Sequence, residues 1–421
     1  TALVALLRRG ISIVVLPADG AAEAPPFCAA VFDTARMEAG PLPGSAGAAA
    51  TKPPPQAEAT AREPRIYVAT SGSTGAPKWV VYSRAGLILN ADGVRERMRI
   101  SRDDCVLVST PLAHMFGLGG GLLPALLAGA SLRVTRGGDP LSILAAERDC
   151  EPTVAFLIPG QCRALLPLRR DARRYRVVVV GVGRLSEDFA ARFEKMHGPV
   201  VAMYGSTELG AVVGGHPDAE PERRHRFIGP PLKSARVFVE ADQTDGQGRA
   251  IGPVMVEQAA GYLGYGDATG QLIAPAPARQ ATGDLGTLGA AGELDILGRA
   301  DDRIRRDGYW VLTSEVEACL SDAASLAEAA VIASGETRRG AGLVAFVVMA
   351  PGAVFETAGL MQHCRDRLPG HMVPDRIVPL ARFERLASGK IDLQALAARA
   401  EDTGFAAEGS AAEGSPEEDR Q

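Results

Sequence analysis

Nine consecutive residues, Thr70-Ser71-Gly72-Ser73-Thr74-Gly75-Ala76-Pro77-Lys78, concentrate four hydroxyls, two glycines and a lysine directly after the apolar run Ile66–Ala69. Small residues let backbone N–H groups come close to a ligand, hydroxyls donate hydrogen bonds, and the lysine adds positive charge. Together these suit a polyphosphate. The pattern is not a Walker A loop, because Pro77 precedes the lysine and Trp79 follows it. By composition alone a stretch like this is more often an ordinary surface loop, and it is the order of the nine residues that reverses the reading. A second glycine-containing run, Gly181-Val182-Gly183-Arg184-Leu185-Ser186, lacks the third glycine of a dinucleotide fingerprint.

Other side chains further along have chemistry to offer. In Tyr204-Gly205-Ser206-Thr207-Glu208 the tyrosine presents a flat aromatic face and the glutamate a hard oxygen ligand of the kind magnesium takes, or else a solvated surface carboxylate. Asp284, in Thr282-Gly283-Asp284-Leu285, has two oxygens that can accept from a pair of hydroxyls, or can cap its own turn. His114 lies in Pro111-Leu112-Ala113-His114-Met115-Phe116-Gly117, between an apolar run and a glycine-rich one, and a core or helix-capping role is its plain alternative. Lys390, in Ser388-Gly389-Lys390-Ile391-Asp392, reads on its own as a solvated charge in a turn.

The elements that must hold these residues follow from short apolar runs at Ile11–Leu16, Ile66–Ala69, Val106–Ser109, Leu132–Thr135, Val154–Ile158, Arg176–Val180 and Val200–Tyr204. Helical spacing at Leu141–Asp149 and Ser186–Met196 falls between them. Alternation of this kind predicts an α/β fold: a large N-terminal domain with parallel-rich sheets and helices. From about Val237 the pattern changes to short strands with Gly-rich turns. The charged stretch Arg299–Asp307 then leads into a smaller α+β domain, with a helix starting near Ser314, strands at Ala329–Ala333 and Leu343–Met349, and a helix near Thr357–Arg367. The expected division is 1–300 for the core, 301–402 for the small C-terminal domain and 403–421 for a disordered tail rich in Glu, Gly and Ser, with 40–64 a flexible insertion rich in Ala, Pro and Gly.

The chain has 421 residues, 46% hydrophobic and 23% charged, with a formal net charge of −5 and no basic stripe, which argues against nucleic acid as a partner. Its six cysteines are scattered without a C-x-x-C pair, so they read as reduced core residues and favour a cytoplasmic location. Met115–Leu132 is uncharged, but its five glycines and Pro124 suit a buried loop and helix better than a membrane span. The chain opens at Thr1 in a helix-like run, Ala2–Arg9, and further residues are expected upstream.

The loop Thr70–Lys78 resembles the phosphate loop of the adenylate-forming, AMP-binding superfamily, which includes acyl-CoA synthetases, aryl acid ligases, peptide-synthetase adenylation domains and luciferases. Five further motifs match in order: Tyr204–Glu208, Thr282–Leu285, Gly298-Arg299-Ala300-Asp301-Asp302, Gly308-Tyr309 followed by Glu315-Val316-Glu317, and Ser388–Asp392. The resemblance implies ATP and Mg2+ as cofactors and a small carboxylic acid as substrate, activated as acyl-AMP with release of pyrophosphate. It further implies transfer to CoA, or to the phosphopantetheine arm of an acyl or aryl carrier protein. A non-catalytic nucleotide-binding homologue is the other alternative. By the resemblance, Thr70, Ser71, Gly72, Ser73, Thr74, Gly75 and Lys78 bind the phosphates. Gly181, Val182, Gly183, Tyr204, Gly205 and Ser206 belong to the nucleotide and acyl pocket. Thr207 donates to the α-phosphate, Glu208 holds Mg2+, Asp284 takes the ribose and Arg299 supports it. Lys390 bridges carboxylate and α-phosphate, and His114 borders the acyl pocket and thiol tunnel. Asp301 is the hinge about which the C-terminal domain rotates, and Gly308 faces the tunnel.

Two departures from the family pattern stand out. Only 69 residues precede the phosphate loop, fewer than the family usually has. Trp310 stands where many CoA-forming relatives carry an arginine, and Arg305 is the nearby candidate to compensate. No acidic residue occurs between Asp104 and Asp139, where amino-acid-activating relatives place the aspartate that pairs the substrate ammonium. A buried ammonium without a partner costs several kcal/mol, so an aryl, fatty or other non-amino organic acid is expected.

Overall fold

Apolar runs become strands, and the hydroxyls and carboxylates beside them become helix caps. The computed structural model describes residues 12–15, 31–33, 38–40, 64–70, 78–135, 138–168, 175–241, 243–244, 249–267, 269–300, 303–307, 309–385 and 391–402. The helix-like run at 2–9, most of the insertion expected at 40–64 and the tail at 403–421 lie outside them.

The described chain begins with β1 (Ile13–Val15), a hairpin of β2 (Val31–Asp33) and β3 (Glu38–Gly40), then β4 (Arg65–Thr70) and β5 (Lys78–Ser83). Ser83 ends β5 and caps α1 (Arg84–Arg97), its hydroxyl accepting from the Gly86 N–H at 2.9 Å. After β6 (Cys105–Val108) the uncharged, glycine-rich stretch forms a π-helical segment at Phe116–Leu122 and then α2 (Leu123–Ala128). Gly129 ends α2 in the left-handed conformation at φ 69°, where a side chain would be strained. Alternation then continues with β7 (Ser131–Val134), α3 (Pro140–Cys150), β8 (Val154–Leu157), α4 (Pro159–Leu165), β9 (Val177–Val180), α5 (Glu187–His197) and β10 (Val200–Ser206). Asp139 and Ser186 cap α3 and α5, accepting from the N–H groups of Ser142 (3.0 Å) and Phe189 (3.4 Å).

With β11 (Gly210–Gly214) these strands make a six-stranded sheet in the order β11-β10-β9-β8-β6-β7, in which β11 alone runs antiparallel. Val106, Val108, Val154, Phe156, Val177 and Val179 pack on one face against Val94 of α1 and Met98 at its C-terminal cap. Leu107, Ala155, Leu157, Val178 and Val180 pack on the other against Ile143, Cys162 and Phe193 of α3, α4 and α5. Both faces are covered, so these strands read as continuous apolar runs and not as alternating ones.

The chain continues through α6 (Pro221–Arg226), β12 (Ala235–Val239), β13 (Gln243–Thr244), β14 (Ala250–Gln258), β15 (Gly264–Gly266) and β16 (Leu272–Pro275). β15 pairs with β5, extending a second sheet to the order β1-β4-β5-β15-β16, while β12 and β14 pair antiparallel. β17 (Gln280–Leu288) and β18 (Leu294–Arg299) are where the chain divides into two compact units. One unit comprises Thr1–Thr282 with Thr287–Asp295, the other Gly283–Gly286 with Ile296–Gln421.

The second unit contains β19 (Arg303–Arg306), β20 (Tyr309–Leu312), α7 (Thr313–Ser321), β21 (Leu326–Thr337), β22 (Gly340–Met349), α8 (Thr357–Arg365), β23 (Arg376–Leu380) and α9 (Leu393–Asp402). Its sheet runs β20-β19-β22-β21, with β23 parallel to β22. Leu343, Ala345 and Val347 face Val316, Leu320 and Leu360, while Val344 and Phe346 face Phe383 and Leu396. Arg306 is fully buried, and its two terminal nitrogens make a forked pair with Asp375, whose carboxylate also accepts from the Leu343 N–H at 2.8 Å. Among the described residues no helix is long and apolar enough to cross a membrane.

Candidate active site

In the first unit the sequence-predicted groups gather where β4 and β5 turn and at the C-terminal ends of the parallel strands, the edge at which open α/β sheets bind ligands. Thr70 and Lys78 are directly opposed across the antiparallel pair β4–β5, so the two ends of the motif stand side by side on neighbouring strands. A Walker loop joins a strand to a helix, and the strand-to-strand connection is a structural reason to separate the two. Ser71, Gly72, Ser73, Thr74 and Gly75 lie outside the described residues.

Tyr204, Gly205 and Ser206 end β10, and Thr207 and Glu208 sit in the turn to β11, with a bulge between Tyr204 and Gly205. A Cβ on Gly205 would lie 1.9 Å from the Gly210 carbonyl oxygen, so only glycine fits. Three side chains that the sequence reading passed over lock this turn. Buried Asn90 of α1 donates to the Ala211 carbonyl at 2.8 Å and accepts from the Ala211 N–H at 3.0 Å. Gln258 donates to the carbonyls of Leu209 (3.2 Å) and Ala211 (3.1 Å). Tyr82 donates to the Thr207 carbonyl at 2.8 Å, and burial holds its phenol well above the ordinary value, so it stays protonated. The signal the sequence offered was an amide, Asn90, set in the otherwise apolar run Leu87–Ala91.

Glu208 is half-buried, and one carboxylate oxygen accepts from the Tyr265 hydroxyl at 3.1 Å. Its backbone carbonyl accepts from the Tyr262 N–H at 2.8 Å. Tyr262 and Tyr265 meet edge to face at 5.3 Å, and the Lys78 ammonium lies 5.9 Å from the centroid of the Tyr265 ring. Burial first, and then the charge of Glu208, raises the Tyr265 phenol. No described lysine or arginine pairs with Glu208, which leaves its second carboxylate oxygen as a hard donor. Mg2+ that keeps its waters and shares its ligands with phosphates needs one or two such carboxylates, so the donor set fits that ion.

Gly181, Val182 and Gly183 follow β9. A Cβ on Gly181 would approach the Phe116 ring to 2.3 Å, and that ring packs edge-on against Phe156 at 5.8 Å. Val182 is held at φ 68° with its side chain 70% exposed, a strained backbone for a β-branched residue. His114 is exposed and its carbonyl accepts from the Leu118 N–H at 2.9 Å, which removes the core alternative for its ring. Asp104 is committed to Arg176 at 3.0 Å and Asp139 to capping α3, so the two acidic residues flanking the Cys105–Gly138 stretch are already engaged.

In the second unit Asp284 accepts from Arg299 at 3.1 Å, bringing together the two residues assigned to ribose. Gly283 has φ 76°, and a Cβ there would crowd the Arg299 guanidinium at 2.7 Å. Arg305 is exposed on β19 and stands opposite Trp310 in the β19–β20 register. Asp301, Gly308 and Lys390 lie outside the described residues.

Known proteins match this layout. Residues 6–265 match the model of the AMP-binding enzyme family, and residues 315–390 that of the AMP-binding enzyme C-terminal domain. The chain is 27% identical over 346 residues to an indoleacetate–CoA ligase of Aromatoleum aromaticum, covering 80% of this chain and 68% of that protein. It is 30% identical over 357 residues to a probable non-canonical nonribosomal peptide synthetase of Salinispora arenicola, covering 79% of this chain and 4% of that protein. Among solved structures, o-succinylbenzoate CoA synthetase from Bacillus subtilis in complex with its acyl-adenylate intermediate superposes with a TM-score of 0.67 at 25% identity, covering 77% of this chain and 67% of the other. On these matches, and on motifs arranged as described, the chain belongs to the AMP-binding enzyme family.

Proposed function

We propose that this chain is an ATP- and Mg2+-dependent acid–thiol ligase that activates a non-amino organic acid as its acyl-adenylate and transfers the acyl group to CoA. The observation that carries the reading is the braced turn holding Thr207 and Glu208 beside the hairpin that ends in Thr70 and Lys78. In the first half-reaction a carboxylate oxygen attacks the α-phosphorus, and the bond to the leaving pyrophosphate breaks. Bound Mg2+ would supply charge neutralisation on the phosphates, with Glu208 as its protein ligand. Lys78 and the loop 71–75 hold the polyphosphate, Thr207 donates to the α-phosphate, Tyr204 stacks on adenine beside Gly181–Gly183, and Asp284 with Arg299 holds ribose. Lys390 offsets negative charge building between carboxylate and α-phosphate. In the second half-reaction the thiol sulfur attacks the acyl carbonyl and AMP leaves.

Residues 301–402 act as a lid that turns about Asp301, so that Lys390 serves the first step and the Gly308 edge, with Arg305, serves the second. His114 borders the acyl end. The engaged state of Asp104 and Asp139 supports an acid without an ammonium group. The described cysteines are free thiols, in keeping with a cytoplasmic enzyme. A carrier-protein phosphopantetheine is the alternative acceptor, favoured by the match to a peptide synthetase.

ATP–pyrophosphate exchange against a panel of aryl, fatty and short organic acids tests the first step. Addition of CoA or of a phosphopantetheinylated carrier to the best acid tests the second. An acid that supports exchange and yields its CoA thioester is expected. Thioester only on the carrier would move the assignment to the alternative, and ATP binding without exchange on any acid would leave a non-catalytic homologue.

A further inference from the structure

We infer that Tyr265 is a positioning residue for adenylation, its hydroxyl fixing the Glu208 carboxylate in the orientation that takes Mg2+. This rests on the reading of Glu208 as the metal ligand. Tyr265 lies in β15, opposite Val80 of β5, in the strand that pairs next to Lys78 and the phosphate hairpin. From there its hydroxyl reaches one oxygen of Glu208 at 3.1 Å while its ring turns toward Lys78, 5.9 Å from ring centroid to ammonium. Tyr262, three residues earlier and just before β15, holds the same glutamate by its backbone and supports the Tyr265 ring edge to face.

A glutamate side chain has three rotatable bonds, and a half-buried one with a single anchored oxygen keeps its second oxygen free for a cation. Hydrogen bonds of this type orient ligands and raise their occupancy of the binding rotamer. The plain alternative is that Tyr265 only packs, since its ring also borders the cluster of Ile66, Val68, Val80 and Tyr82. The two differ in which atom matters. Packing and the contact with Lys78 depend on the ring, whereas positioning depends on the hydroxyl.

Tyr265→Phe removes the hydroxyl and keeps the ring. Mn2+ titrated into the ATP-bound protein, with free Mn2+ read by electron paramagnetic resonance, measures metal affinity without turnover. The expected result is about 10-fold weaker Mn2+ binding in Tyr265→Phe, a matching rise in the Mg2+ needed for half-maximal pyrophosphate exchange, near-wild-type exchange at saturating Mg2+ and an unchanged melting temperature. In the Glu208→Gln background the same substitution should add nothing, because Tyr265 acts through that carboxylate. Unchanged Mn2+ affinity in Tyr265→Phe, or an equal further loss in the Glu208→Gln background, overturns the inference while leaving Glu208 as the ligand. Wild-type affinity retained by Glu208→Gln would instead overturn the reading on which it rests.

Discussion

Glu208 and Asp284 are both carboxylates assigned to one nucleotide, and their surroundings differ. Glu208 sits in a turn clamped from α1, β5, β14 and β15, with Asn90, Tyr82, Gln258 and Tyr265 each donating at 2.8–3.2 Å. Asp284 accepts from Arg299 at 3.1 Å, an arginine whose side chain is itself 53% exposed. On the proposed roles the two groups answer different demands. A divalent cation and a reacting phosphate tolerate little displacement, since about 1 Å can cost 100-fold in rate. Ribose hydroxyls are bound equally in ground and transition states, so disturbing their carboxylate costs affinity before rate.

If that contrast is sound, disturbing the braced turn should damage rate and disturbing the ribose pair should damage affinity. The largest effect is expected from Gly205→Ala. Its methyl would enter the space of the Gly210 carbonyl at 1.9 Å, and pyrophosphate exchange should fall by about 100-fold. Near-wild-type exchange would show that the turn is more yielding than its packing indicates. Lys390→Ala should lower exchange by about 100-fold as well, as expected for loss of one well-placed donor. It should spare thioester formation from synthetic acyl-adenylate, and equal loss in both half-reactions would remove its assignment to the first step.

Asp284→Ala should raise the KM for ATP by about 10-fold while kcat changes little. A drop in kcat alone would erase the distinction between the two carboxylates. Asn90→Ala leaves the Ala211 N–H without its acceptor in the interior, a loss of about 1–3 kcal/mol in a denaturant melt. The Ala211 carbonyl keeps Gln258, so a cost well above that range would mean that Asn90 supports more than this strand. Arg299→Ala should have the smallest effect on stability, below about 1 kcal/mol, because an exposed pair contributes little. ATP affinity should weaken less than in Asp284→Ala, and a larger loss would make the arginine the principal ribose contact.

The pattern of apolar runs in the sequence determined the parallel sheet of the first unit. Val154–Leu157 and Val177–Val180 have no polar position, and only a strand covered on both faces accommodates that. The motifs likewise determined the chemistry, since a loop of hydroxyls and glycines before Lys78, and a carboxylate after Tyr204, carry their meaning in residue type and order. Tertiary structure decided what holds them. Asn90, Tyr82, Gln258 and Tyr265 lie 121, 125, 49 and 57 residues in the sequence from the groups they bond, Ala211, Thr207, Leu209 and Glu208, and none belongs to a motif. Local pattern records which face of an element is buried. It does not record which distant hydroxyl or amide completes a hydrogen bond there, because that depends on strand order, and strand order is set by the packing of the whole sheet.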